Sequence, residues 1–111
     1  MTNYIYKNDL PSELDLGPVV AIDTETMGLN PLRDRLCLVQ LSSGDGHAHI
    51  VQIENKSVKS PNICKILSDQ NKIKLFHFAR FDIAALQNHF KISTSPVYCT
   101  KIASKLVRTY T

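Results

Sequence analysis

Val19-Val20-Ala21-Ile22-Asp23-Thr24-Glu25-Thr26 is the stretch whose reading decides the fold. Four apolar residues open it, three of them with strong strand preference, and two acids follow at alternate positions. Residues i and i+2 of an extended strand project from the same face. Asp23 and Glu25 are therefore expected side by side at the end of a buried strand. Like charges that close repel, and burial makes the repulsion worse. A cation between them relieves both costs, and hard oxygen ligands suit magnesium or manganese better than zinc or copper. The plainer reading is a strand end emerging into water, where acids are common. For Asp-x-Glu alone that reading leads.

Working outward, Leu36-Cys37-Leu38-Val39-Gln40-Leu41 reads as a second strand, residues 42–46 as a hairpin loop and residues 47–53 as a third strand. Three strands joined by short loops predict an antiparallel meander. Upstream, residues 1–18 form a lead-in with turn signals at Asn8-Asp9-Leu10-Pro11 and Gly17-Pro18, and Tyr4-Ile5-Tyr6 reads as a short edge strand. Downstream, Ser60 and Pro61 take the N-cap and first position of a helix whose apolar residues Ile63, Ile66 and Leu67 recur at helical spacing. Lys74-Leu75-Phe76 predicts a fourth strand, residues 81–90 a helix with Phe81, Ala84, Ala85 and Leu86 on its apolar side, and residues 96–99 a fifth strand. Thr100 caps a final helix with Ile102, Ala103, Leu106 and Val107 on one face. The order predicts an α/β domain: a mixed five-stranded sheet, antiparallel meander then parallel strands, with helices packed on it.

A chain of 111 residues, 43% hydrophobic and 21% charged, has room for one globular domain. No apolar run approaches membrane-spanning length and no signal-peptide pattern opens the chain, so a cytoplasmic location without membrane partners is expected. Cys37, Cys64 and Cys99 are odd in number, widely spaced and set among apolar residues, which reads as buried thiols in a reducing compartment. Residues 1–55 carry three Lys or Arg against eight acids, whereas residues 56–111 carry ten against two. An acidic centre beside a basic half suits a phosphodiester substrate. A scatter of solvated lysines gives the same count.

A second stretch strengthens the carboxylate signal. His77-Phe78-Ala79-Arg80-Phe81-Asp82 begins where the fourth strand ends. Asp82 falls in the first turn of the following helix, where the positive end of the helix dipole favours a carboxylate. If the fourth strand lies beside the first, Asp82 reaches Asp23 and Glu25, and three carboxylates make most of a two-metal site.

Asp23-Thr24-Glu25-Thr26-x-Gly28-Leu29 and His77-x-x-x-Phe81-Asp82 resemble the first two motifs of the DEDD superfamily of 3′→5′ exonucleases. Their order, their separation and the meander between them fit as well. The pattern is most similar to the ribonuclease D branch and its short nanoRNase C type. Arg33-Asp34-Arg35-Leu36-Cys37 and the run from Cys99 to Leu106 carry that closer likeness, and the resemblance spans residues 8–111. It implies a ribonuclease H-like exonuclease fold. The third motif of the family, Tyr-x-x-x-Asp, is not in this sequence: neither Tyr98 nor Tyr110 is followed four residues later by Asp. The resemblance thus predicts a single incomplete domain over residues 1–111, truncated at the C-terminus.

By resemblance, Asp23 bridges two divalent ions, Mg2+ or Mn2+, Glu25 binds one of them near the terminal 3′-hydroxyl, and Asp82 binds the other. Thr26, Gly28 and Leu29 resemble the segment that receives the terminal nucleotide, and an ordinary turn competes with that reading. His77 and Phe81 are candidates for sugar or base contact, against a strand-end histidine and a core phenylalanine. Arg33, Arg35 and Arg80 are candidate phosphate ligands, against plain solvated charges. His47 and His49 alternate on one strand face without a third ligand, and read as structural or exposed. Lys101, Lys105 and Arg108 form a basic helical stripe that reads as a solvated face.

The expected activity is metal-dependent 3′→5′ hydrolysis of RNA or short oligonucleotides, with DNA open, releasing nucleoside 5′-monophosphates. The resemblance implies that the complete protein is a homo-oligomer and that this chain needs the missing segment, in cis or as a separate chain. The rival readings are a catalytically dead fragment and a nucleic-acid-binding module of the same fold. A ribonuclease H-like endonuclease also gathers carboxylates on such a sheet. The meander followed by His-x-x-x-Phe-Asp argues against it.

Overall fold

In the computed structural model, which describes residues 2–30, 33–77 and 79–99, the quoted stretch is β2 (Val19–Thr26), near the middle of one mixed sheet. The expected meander is present: β2 pairs antiparallel with β3 (Leu36–Ser42), and β3 with β4 (His47–Gln52). Gly44 and Gly46 take positive φ in the β3–β4 turn, a conformation that costs glycine little. On its other edge β2 pairs parallel with β5 (Ile73–Phe76), which pairs parallel with β6 (Val97–Cys99). The helix expected from Thr100, with its basic stripe, lies outside the described residues.

Among the described residues, the sheet has six strands rather than five. The lead-in β1 (Thr2–Lys7) runs parallel to β4 along its whole length, from Thr2 opposite His47 to Lys7 opposite Gln52. Its side chains explain the pairing. Tyr4 and Tyr6 stack on His49, and the Tyr6 hydroxyl hydrogen-bonds His49 Nδ1 at 3.0 Å. His49 is buried and structural.

Among the described residues, two helices, α1 (Pro61–Ser68) and α2 (Ala79–Phe90), cover one face. Val20, Ile22, Val39, Leu41, Val51 and Phe76 point into the core beneath them, joined by Ile63, Ile66, Leu67, Ala85 and Leu86 from the helices. Alternation along β2 does the rest: Val20, Ile22 and Thr24 are buried, and Val19, Asp23 and Glu25 are exposed.

The α1 N-terminus is capped differently from the expectation. Ser60 holds the N-cap position with φ 44° and makes no capping bond, because its hydroxyl donates to the Asn8 carbonyl. The Asp9 carboxylate accepts the Asn62 and Ile63 amides instead, at 2.9 and 3.0 Å. An acid from the lead-in thus satisfies the orphan donors and ties residues 8–10 to the helix. Cys37, on β3, and Cys64, on α1, are half-buried rather than buried.

Among the described residues, no helix covers the opposite face of the sheet. Register aligns Ile5, Ile50, Gln40 and Asp23 in one row across four strands. Val19 pairs with Ile73, and Leu75 with Ala21 on one side and Tyr98 on the other. Ile5 is 65% exposed at the β1 edge, and Val19, Ile73 and Tyr98 are exposed towards the other edge, on β2, β5 and β6. Asp23 therefore stands in the middle of a broad, partly apolar surface.

Candidate active site

The cleft arises because two strands part. β2 and β5 pair only from Val19 to Ala21 and from Ile73 to Leu75. Beyond that point the Thr24 amide takes no ladder bond to β5, and a buried amide needs an acceptor. Two carboxylates supply it. Asp23 Oδ1 accepts from Thr24 N at 3.0 Å and Asp82 Oδ1 at 3.2 Å. The Thr24 hydroxyl adds a second donation to Asp82 Oδ1 at 2.5 Å. One threonine thus joins the strand carboxylate to the helix carboxylate. The cleft beside them holds about 540 Å³ and is lined by Asp23, Thr24, Gln40, His77, Phe81 and Asp82, with Ala21 and Leu75 on its floor.

The two carboxylates differ in environment. Asp23 is exposed on the open face. Asp82, in the first turn of α2, is only 4% exposed. Burial pushes its carboxyl up to about 6, and the neighbouring Asp23 charge pushes the same way. The Thr24 hydrogen bonds and His77 pull it down, but by less. A buried acid facing a second acid is an electrostatic demand for a cation or a proton.

Not every candidate converges. The structure brings Asp23, Asp82, His77 and Phe81 to one cleft. Glu25 is exposed one step further along the same strand face and does not line it. Among the described residues, no three His, Cys, Asp or Glu side chains close around a metal position. The donor chemistry nevertheless fits a hard divalent ion: carboxylate oxygens with one buried, charge-stressed acid. Arg80 is exposed on α2 and does not line the cleft.

Thr26, Gly28 and Leu29 lie on the strand end and the loop that follows. The Thr26 hydroxyl donates to the Gly28 carbonyl at 2.5 Å. The reason for glycine at 28 is local: an added Cβ would sit 2.3 Å from Asp34 Oδ2. That carboxylate is held in place by the Asn30 amide at 2.8 Å. Leu29 is 94% exposed, an apolar side chain presented to solvent.

Sequence reasoning gave no role to Thr24, Gln40 or Asp34. Gln40 had a signal, as the lone amide in the run Leu36-Cys37-Leu38-Val39-Gln40-Leu41, and it pairs with Asp23 across the ladder. Thr24 had none, because its role depends on where β5 diverges.

Comparison with known proteins agrees with this geometry. Residues 2–111 match the family described as 3′–5′ exonuclease. Brucella melitensis NrnC superposes with a TM-score of 0.93 at 55% identity, covering all of this chain and 55% of that one, in a structure bound to pGG. A further NrnC structure carries bound Mg2+. Ribonuclease D of Granulibacter bethesdensis is 33% identical over 87 residues, 78% of this chain and 22% of its own length. Escherichia coli RNase D gives a TM-score of 0.63 at 27% identity, over 78% of this chain and 23% of that one. The chain therefore spans about half of NrnC and under a quarter of the ribonucleases D. Its fold, its two-carboxylate cleft and its match over residues 2–111 place it in the 3′–5′ exonuclease family.

Proposed function

We propose that this chain carries the catalytic half-site of a metal-dependent 3′→5′ exonuclease acting on RNA or short oligonucleotides. The observation that supports it most is the Asp23–Thr24–Asp82 junction, a buried acid held against a second acid at the mouth of a cleft. The relative that carries Mg2+ and the relative bound to pGG support the same reading. Asp23, Glu25 and Asp82 are the residues that would hold divalent ions. Two such ions, when bound, supply an acidified water and charge neutralisation for the leaving oxygen. The protein's own part is placement: Thr24 fixes both carboxylates, Phe81 and His77 wall the cleft where a terminal nucleotide would enter, and Leu29 stands ready to pack on its base. Asp34 keeps that loop in shape.

Full turnover requires more than these residues. The sequence holds no Tyr-x-x-x-Asp, and NrnC is nearly twice as long. In our reading the open face around Asp23 receives that further segment. Left bare, such an apolar surface favours self-association. A second reading, a binding module without chemistry, is favoured by the absence of three converging ligands among the described residues. The test is mononucleotide release from a labelled oligoribonucleotide with manganese. It compares this chain, the chain fused to the remaining part of Brucella NrnC, and that fusion with Asp23→Ala. Turnover by the fusion alone, abolished by Asp23→Ala, is expected. No turnover by the fusion, with binding retained, would leave the binding module standing.

A further inference from the structure

A second cavity, of about 320 Å³, opens at the far end of α2. Arg33 and Arg35 from the β2–β3 loop, Lys56 from the segment after β4, and Asn88, His89 and Lys91 from the end of α2 line it. Four cations from three separate segments meet there, and no carboxylate is among the lining residues. The helix dipole accounts for a cation at Lys91. It does not account for the other three, which come from loops and repel it. Two of the four are committed elsewhere only in part. Arg35 is oriented by donating to the Ile53 and Leu36 carbonyls at 2.5 and 3.3 Å, and these leave a guanidinium with further donors. Arg33 meets Asp34 at 3.2 Å on the exposed rim. The His89 ring nitrogen is fixed on the Val58 carbonyl at 2.8 Å, so that wall is set.

The place of the cavity matters. α2 carries the chain about 12 Å, eight residues at 1.5 Å each, from Asp82 to its end at Phe90. The loop that holds Gly28 and Leu29 runs directly into Arg33 and Arg35. The carboxylate cleft and the basic cavity thus stand at the two ends of one helix, with the nucleotide-presenting loop leading into the second. A carboxylate cleft repels phosphates until cations fill it, whereas the basic cavity attracts them without any metal.

We propose that this basic cavity holds a phosphate of a single-stranded nucleic acid whose 3′ end lies at the carboxylate cleft. The proposal rests on the exonuclease reading for the polarity of the strand. The chemistry recognised is a phosphate group, which a strand or free inorganic phosphate can supply, so both are used as probes. Binding of a fluorescent single-stranded oligoribonucleotide to this chain is followed by anisotropy in EDTA across a salt series. Lys56→Gln/Lys91→Gln is compared with Lys7→Gln/Lys65→Gln, which removes the same charge elsewhere. Inorganic phosphate is titrated separately. EDTA silences the carboxylate cleft, so failure here is separate from failure of the metal site. The Lys56/Lys91 pair is expected to weaken binding and to lower the slope of log K against log salt by about 0.7 for each phosphate that is no longer neutralised. The control pair is expected to leave the slope nearly intact. Equal weakening by the two pairs, or binding of inorganic phosphate with none of the strand, would overturn the proposal.

Discussion

Two buried charges sit at opposite ends of β5, and they are treated in opposite ways. Lys74 is fully buried near the strand's start, and its ammonium donates to three carbonyls, those of Asp69, Lys72 and Ser95. Burial lowers its pKa, yet all three of its donors are used. Asp82, past the end of the same strand, receives both Thr24 bonds on one oxygen and faces another acid. The first charge is satisfied from within and ties α1, β5 and the approach to β6 together. The second is compensated only in part, by the Thr24 bonds and His77, and its carboxyl stays raised. A closed set of hydrogen bonds marks a structural charge, and an open demand marks a functional one.

The sharpest break of this comparison is Lys74→Met. It keeps the apolar stem and leaves three buried carbonyls without their donor. An expected loss of about 3–5 kcal/mol follows from the cost of orphaned buried groups. Urea denaturation measures it, and a loss below about 1 kcal/mol would show that the cage contributes little.

Asp82→Asn should act in the other direction. The carboxyl lies near 6 in the folded chain and near 3.8 unfolded, so the native state holds the proton more tightly. Stability of the metal-free chain therefore falls as pH rises from about 4 to about 6, and the deficit persists at pH 7. It is on the order of 2–3 kcal/mol. The substituted amide oxygen can still accept from Thr24, and the side chain carries no charge. The variant should be more stable than the parent at pH 7, roughly equal at pH 4, and flat between. Thermal melts at the two pH values distinguish this from an ordinary destabilising change.

A smaller effect tests the loop between the two charged cavities. Gly28→Ala places a methyl against the Asp34 carboxylate and should cost about 1–2 kcal/mol, as overpacking does. Adding Asp34→Ala to it should recover part of that loss in a double-mutant cycle, since the clash partner is gone. Additive losses would mean that the glycine is required for some other reason.

Much of this was legible in the sequence, and what was not has a physical cause. The period-2 pattern of residues 19–26 announced both the strand and the face that carries Asp23 and Glu25. The motif at 77–82 announced the position of Asp82. Contacts between distant segments were not legible. Asp9 caps α1 from more than fifty residues away, in place of the adjacent Ser60. Lys74 takes the buried phase of Ile73-Lys74-Leu75-Phe76, where alternation puts it with Phe76 although its side chain is charged. The two tyrosines of the lead-in looked like a minor edge until their stacking on His49 showed why β1 spans all of β4. The basic cavity needed three segments brought together, and no local pattern records that.

The central claim is that the Asp23–Asp82 pair is a charge-stressed site that a divalent cation relieves. Calorimetric titration of Mn2+ at about pH 7.5 and about pH 5 tests it directly, on the wild-type chain, Asp23→Asn and Asp82→Asn. Ligand carboxyls must be deprotonated to bind, so affinity should fall as pH drops through about 6. The account predicts a saturable heat for the wild type at the higher pH, much weaker binding at the lower one, and loss of the heat in both variants. Equal heats from all three proteins, or binding indifferent to that pH change, would contradict it.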